Sequence, residues 1–272
     1  MLNFFKLCSM SRFSFIFFFF GLICCYGQNS TGLIHYGEIQ SMGMGGPVGP
    51  DYNALLLFDN NQSLYITRQD SLEGGHIREQ TTYAIAGGNQ SSVTVVTNEP
   101  GFRYFNDLKN KDFYSRDIGF NYVKEKTPTI YWKVSDEKKK IGDHVAYKAT
   151  GKFRGREYTA WFTLDLPLPY GPWKLQGLPG LILEAYDTNK EIYWYFKALQ
   201  YPTEFDHLLK PIVNTEEWIG HEDYAKWIIR AYKNAQVAGR MAAESADIPT
   251  RQEVKSRMLN SYIEGFEDRD NK

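Results

Sequence analysis

Short runs rich in apolar and β-favouring residues recur along this chain between polar turn signals, the pattern of successive strands. Residues 32–40, 53–59 and 63–67 read as strands on this basis. Asn60 and Asn61 separate the last two, and asparagine tolerates the left-handed backbone of a tight turn, so this pair reads as a hairpin. Residues 81–86 and 91–97 are β-rich but weakly patterned, and they predict a hairpin insert around Gly87-Gly88-Asn89. Residues 102–105 and 113–114 flank a polar turn, and 120–126 alternate like a half-buried strand. Further strands are expected at 129–135, 141–150, 157–163, 181–187 and 191–199, with turns at 136–140, 152–156 and 188–190. Consecutive strands on short connections imply an antiparallel meander.

The period changes after Pro202. Asn214 and Glu217 have helix-capping spacing, and Trp218, Tyr224, Trp227, Ile228 and Tyr232 follow on one helical face, predicting a helix to about residue 243. Thr250 and Glu253 cap a second expected helix, with Val254, Met258, Leu259 and Ile263 on one face. The expected fold class is α+β: mainly an antiparallel β meander, as a curved sheet or half-barrel, with C-terminal helices packing through Trp218 and Trp227. The division is a signal peptide at 1–27, a β domain at 28–202, a helical segment at 203–266 packed on it, and a disordered tail at 267–272.

Charge and cysteine usage narrow the function. The 272 residues carry 31 basic and 32 acidic side chains, so there is no basic excess to suggest nucleic acid. Lys6 and Arg12 precede an apolar run that ends at Gly27, the pattern of a signal peptide cleaved after that glycine. Lipidation at Cys24 or Cys25 and an uncleaved anchor are the rival readings. An exported protein, periplasmic or secreted, is expected. All three cysteines lie in this segment, so the mature chain offers no disulfide scaffold, thiol nucleophile or Cys-ligated metal. No second long apolar run follows, so no transmembrane span is expected in the mature chain.

The chemistry-bearing residues are scattered. Five histidines, at 35, 76, 144, 207 and 221, form no metal-ligand spacing, and no cofactor is expected. Neither a Gly-x-Ser-x-Gly elbow nor a complete phosphate loop is present. His144 beside Asp143 suits acid–base work, although a solvated turn side chain is the simpler reading. His221-Glu222-Asp223 reads as an acidic helix start.

Residues 165–187 are the most distinctive stretch. Four prolines, three glycines and Trp173 precede an apolar strand, so a rigid turning loop is expected, carried by Gly171, Pro172, Gly177, Leu178, Pro179 and Gly180. At Gly177-Leu178-Pro179-Gly180-Leu181-Ile182 the chain resembles the GLPGLI family of secreted proteins from Bacteroidetes-type bacteria. Ser63-Leu64-Tyr65, Trp132-Lys133-Val134, Ile141-Gly142, residues 147–150, Arg156, Ala160-Trp161 and Gly171-Pro172-Trp173 are similar to that family over about residues 32–200. Many members carry a cysteine where this chain has Val145 or Ala146, so a thiol role in relatives does not transfer. The resemblance implies an envelope protein of unsettled activity, in a family whose members are often associated with TonB-dependent outer-membrane proteins. The leading expectation is a non-enzymatic module that binds a peptide or lipid ligand, or a partner such as an outer-membrane transporter. The aromatic residues Trp173, Trp161, Tyr193 and Tyr195 are its candidate binding positions. A secreted hydrolase, peptidase-like or lipid-processing, is the alternative.

Overall fold

The computed structural model describes residues 30–41, 46–74, 80–84, 90–94, 97–215, 217–245 and 262–266. Its strands are β1 (Gly32–Gln40), β2 (Asp51–Phe58), β3 (Gln62–Thr67), β4 (Gln80–Ala84), β5 (Gln90–Thr94), β6 (Phe102–Asp107), β7 (Asp112–Arg116) and β8 (Tyr122–Lys126). They continue as β9 (Lys133–Ile141), β10 (His144–Phe153), β11 (Arg156–Thr163), β12 (Leu181–Asp187), β13 (Ile192–Gln200) and β14 (Ile219–Gly220), followed by the helix α1 (His221–Ser245). Twelve of the strands form one sheet in the order β14-β8-β7-β6-β3-β2-β1-β13-β12-β11-β10-β9, and β4 and β5 pair separately. All neighbours are antiparallel except β14 and β8.

Two meanders therefore meet at the β1–β13 pair. One runs outward from β1 to β8, and the other runs inward from β9 to β13. Each strand twists in the same hand, and an open twisted sheet of this width curls. The result is the α+β, curved-sheet architecture expected from the succession of short strands. Its two faces are read off the side-chain parity. Ile34, Tyr36, Ala54, Leu56, Tyr65, Tyr104, Ala160, Phe162 and Trp194 enter one large core on what we call the inner face. Leu33, Leu57, Leu64, Ile66 and Phe105 point the other way and are covered by Leu209 and Ile212. The helix covers the β8 end, where Tyr224 and Ile228 bury Val123.

The signature loop lies across the inner face. Tyr170, Trp173, Leu175 and Leu178 are all buried in the main core. Its backbone is satisfied by hydrogen bonds from Gly177 N to Pro169 O, from Leu181 N to Leu166 O and from Ile182 N to Tyr170 O. Gly180 is required sterically, because a Cβ there would stand 1.9 Å from the Thr163 carbonyl oxygen. The Tyr36 hydroxyl donates to the Ile182 carbonyl from β1.

Three local expectations are corrected. Residues 129–132 are not a strand. Ile130 and Trp132 join the inner core, and Trp132 Nε1 donates to Gln176 O at 2.7 Å. The lysine-rich residues 136–140 are not a turn but the middle of β9, and the chain turns instead at Gly142, in the left-handed region at φ 56. This strand is a sheet edge, largely exposed, where lysines discourage pairing with another chain and no apolar alternation is needed. Trp218 is not part of α1. The chain stays extended through Ile219 and Gly220, and the Trp218 ring packs at 5.2 Å from Tyr114 and 5.6 Å from Tyr122. The second expected helix lies outside the described residues from Thr250 to residue 261, but Ile263, expected on its face, stands in the non-helical segment 262–266, whose carbonyls at Tyr262 and Ile263 bond Arg156; the tail from 267 is also outside the described residues.

Candidate ligand-binding site

The inner face holds a cavity of about 230 Å³ between β1, β3, β6, the end of β7, the signature loop and the segment 262–266. Alternation places its lining. Glu38 follows Tyr36 on the inner side of β1, Thr67 follows Tyr65 on β3, and Phe102 and Tyr104 come from β6. Asp117 lies just beyond β7 and Trp173 comes from the loop. Glu38, Thr67, Tyr104, Asp117, Trp173 and Ile263 are buried and form the floor. Gln40, Arg68, Phe102, Ile118 and Tyr262 are half-buried and form the rim.

Glu38 is held on both oxygens. Oε2 accepts from Tyr65 Oη at 2.6 Å and Trp194 Nε1 at 3.1 Å, and Oε1 accepts from Gln40 Nε2 at 2.8 Å. Arg68 Nε stands 3.7 Å from Oε1. The Arg68 guanidinium lies over the Tyr52 ring at 4.4 Å and the Phe102 ring at 5.5 Å. Asp117 Oδ1 accepts from Ile118 N at 2.8 Å and Tyr104 Oη at 3.1 Å, Oδ2 stands 3.8 Å from Lys174 Nζ, and the Tyr224 hydroxyl also faces this carboxyl. Burial pushes the Asp117 carboxyl up from its ordinary range, against the pull of Lys174, and Glu264 adds to the rise. Burial and the Asp117 charge likewise raise the Tyr104 phenol.

Behind Asp117 lies a charge cluster centred on Lys174, whose side chain is 0% exposed. Its Nζ contacts Glu264 at 2.5 Å and Glu125 at 3.2 Å. Arg154 bonds Glu125 and stands 3.6 Å from Glu264. Arg154 Nη1 lies 3.2 Å from His221 Nδ1, and His221 Nε2 lies 3.0 Å from Glu264 Oε2. A guanidinium can only donate and a carboxylate can only accept, so His221 bridges Arg154 and Glu264 through its two ring nitrogens. Asp117, Glu125 and Glu264 thus gather around Lys174 and Arg154. Burial alone would raise Glu264, but Lys174, the His221 bond and Arg154 hold it at about 2. Arg156 completes the attachment of residues 262–266, donating to the Ile263 carbonyl at 3.3 Å and the Tyr262 carbonyl at 3.2 Å.

Of the four aromatic positions singled out by sequence, only Trp173 lies at the cavity. It is not presented at the surface: it is 3% exposed and stacks on Trp194 at 5.9 Å with 13° between the rings. The other three gather on the opposite face of the sheet. Trp161 Nε1 lies 3.5 Å from Tyr186 Oη, Tyr186 is 6.0 Å from Tyr193, and Tyr193 is 5.6 Å from Tyr195. Lysines cover this row, with Lys139 4.4 Å from the Trp161 ring, Lys190 4.8 Å from Tyr186 and Lys197 5.3 Å from Tyr195. Gly171, Pro172, Gly177, Leu178, Pro179 and Gly180 shape the loop and do not line the cavity. His144 pairs with Asp165 at 2.7 Å rather than with Asp143. Glu38, Thr67, Arg68, Tyr104 and Asp117 were not legible as site residues. The one signal was an acid, Glu38, at the strand parity of Ile34 and Tyr36.

Among the described residues, no group of three or more His, Asp and Glu side chains is placed to hold a metal ion, and no helix is long and apolar enough to cross a membrane.

Comparison with known proteins finds a family model over the loop and solved structures similar in fold to the sheet. A family model described as a protein of unknown function, Porph_ging, matches residues 152–184, from the end of β10 through β11 and the signature loop into β12. No curated protein matches the chain. Among solved structures, PNGF-II in space group P21 is similar with a TM-score of 0.50 and 14% identity, over 72% of this chain and 32% of that one. PNGF-II in space group C2 gives a TM-score of 0.45 and 14% identity, over 70% and 31%. The first of these likenesses concerns the fold alone, and the chain spans about a third of the length of PNGF-II.

Proposed function

We propose that this chain is an exported binding protein whose inner-face cavity takes a small polar ligand. One observation carries the proposal. Thr67 Oγ1, Arg68 Nε, Asp117 Oδ2 and Trp173 Nε1 are buried side-chain atoms without a hydrogen bond, and all four belong to residues lining this cavity. A buried polar group left unpaired costs about 1–3 kcal/mol, so several around one cavity favour a solute that supplies their partners. Two of these residues, Arg68 at φ 52 and Trp173 at φ 55, also hold left-handed backbone conformations that side chains rarely adopt. The N-terminal sequence supports export, and the family resemblance supports an envelope role beside an outer-membrane transporter. The test is a small-molecule screen on the chain from Gln28 onward, read by melting temperature and by tryptophan fluorescence. A ligand whose signal is lost in Trp173→Phe supports the proposal. A screen in which neither small molecules nor native envelope extracts yield a Trp173-dependent ligand overturns it.

A hydrolytic role is the second reading, and the Asp117 carboxyl favours it. Raised by burial and facing a cavity beside the Tyr104 hydroxyl, it suits a general acid. Turnover of peptide, ester or glycoside substrates, abolished in Asp117→Asn with ligand binding retained, would establish it. Binding without turnover leaves the first reading standing.

A further inference from the structure

We infer that the occupant of this cavity is an uncharged polyhydroxyl compound about the size of one sugar ring, an inference that rests on the cavity being a ligand site. Charge balance is the first argument. Each charge at the cavity already faces an opposite one: Arg68 Nε stands 3.7 Å from Glu38, and Asp117 shares Lys174 with Glu125 and Glu264. An anionic solute would be set against Glu38 and Asp117 in a poorly solvated space, and an ammonium against Arg68 and Lys174. Either sign of ligand charge would meet a like charge there.

The free hydrogen-bonding atoms give the second argument. Trp173 Nε1 and Arg68 Nε can only donate, Asp117 Oδ2 accepts when ionised, and the Thr67 hydroxyl does both. A solute that satisfies this mixed set without a charge needs groups that give and take at one atom. Hydroxyls do this, and several on one ring do it in several directions. The rings of Phe102, Tyr104 and Trp173 supply the apolar surface against which the C–H face of such a ring can lie. The Arg68 guanidinium packs over the Tyr52 and Phe102 rings, which restricts its rotamers. Size is the third argument. At 230 Å³ the cavity falls just below the roughly 300–1,000 Å³ of sites for larger ligands, room for one ring rather than a chain.

The experiment titrates the chain from Gln28 onward with solutes of matched size: neutral hexoses and inositol, a hexuronate, an amino hexose and leucine. Melting temperature and tryptophan fluorescence are read throughout. A neutral polyol is expected to bind at least about tenfold more tightly than its uronate or amino counterpart. Thr67→Val is the decisive variant, because it keeps shape and removes the unpaired hydroxyl. It is expected to weaken the polyol about fivefold while leaving the melting temperature of the free protein unchanged or higher. A purely structural Thr67 predicts no change in affinity, and that result overturns the inference. A charged solute that binds better, with a Trp173-dependent signal, overturns the ligand class and leaves the cavity a binding site. Failure of every solute, with no fluorescence response, overturns the ligand class, and the cavity reading then stands or falls with the wider screen and the envelope extracts.

Discussion

The two faces of the sheet carry the same kinds of residue and put them to different uses. On the outer face, Trp161, Tyr186, Tyr193 and Tyr195 form a row capped by lysines, and the polar tips find partners: Tyr195 Oη bonds Asp51, and Lys139 pairs with Glu184 at 2.7 Å. On the inner face, Tyr65, Tyr104, Trp173 and Trp194 surround carboxylates and an arginine, and several polar atoms are left without hydrogen bonds. An aromatic row alone is therefore a poor sign of a site. Burial makes the difference, because water reaches polar atoms on an exposed face more freely than those at the floor of a cavity.

Substitutions can break this contrast at graded strength. Gly180→Val should have the largest effect, since any Cβ overlaps the Thr163 carbonyl and the loop that carries Trp173 into the cavity floor cannot dock. The expected outcome is no soluble folded protein, checked by expression yield and circular dichroism. A stable, folded variant would refute the account of the loop. Lys174→Met comes next. It leaves Asp117, Glu125 and Glu264 facing one fewer cation, and removing one partner of a buried pair costs about 3–5 kcal/mol in urea or guanidinium denaturation.

Acid should act on the same cluster in two stages. Asp117 is raised in the folded chain, so it binds its proton first as pH falls, and that step favours the folded state. Glu264 has the opposite sign. Its contribution is fully present above its ordinary value of 4.5 and is lost as pH falls towards about 2. Denaturation midpoints should therefore hold or rise slightly on the acid side of neutrality and collapse below about 4.5, and Glu264→Gln should flatten the collapse. The smallest effect is expected on the outer face. Tyr193→Ala should cost about 1 kcal/mol or less and leave fluorescence-detected ligand binding intact. Loss of binding there would move the site to the other face.

Much of the sheet was legible because its signals are local. Asn60-Asn61 and the turn at residues 188–190 join strands next to one another in sequence, and alternation set their faces. Where a strand did not need alternation, legibility failed. The middle of β9 reads as a turn because an edge strand is solvated and can be built from lysines. Residues 129–132 read as a strand because Ile130 and Trp132 are apolar, though they cross the sheet instead of joining it. The site was hidden for a different reason. Lys174 meets partners 49 and 90 positions away, Glu125 and Glu264, and charged residues read singly look like solvated surface. The loop's polar side chains were visible, but not that the fold would bury Lys174 and Gln176.

The short segment 262–266 has one more consequence. It supplies Tyr262 and Ile263 to the cavity wall and Glu264 to the cluster, while the opposite wall begins at Glu38 on the first strand. The cavity is thus complete only when residues far apart in sequence have met, a contact whose loop-closure entropy must be met by the rest of the fold. A chain cut short before Tyr262 could assemble most of its sheet and still have nothing for a solute to stabilise. Ligand would then protect from proteolysis the molecules in which residues 262–266 have docked and leave the others exposed, so that occupancy doubles as a test of whether that segment is in place.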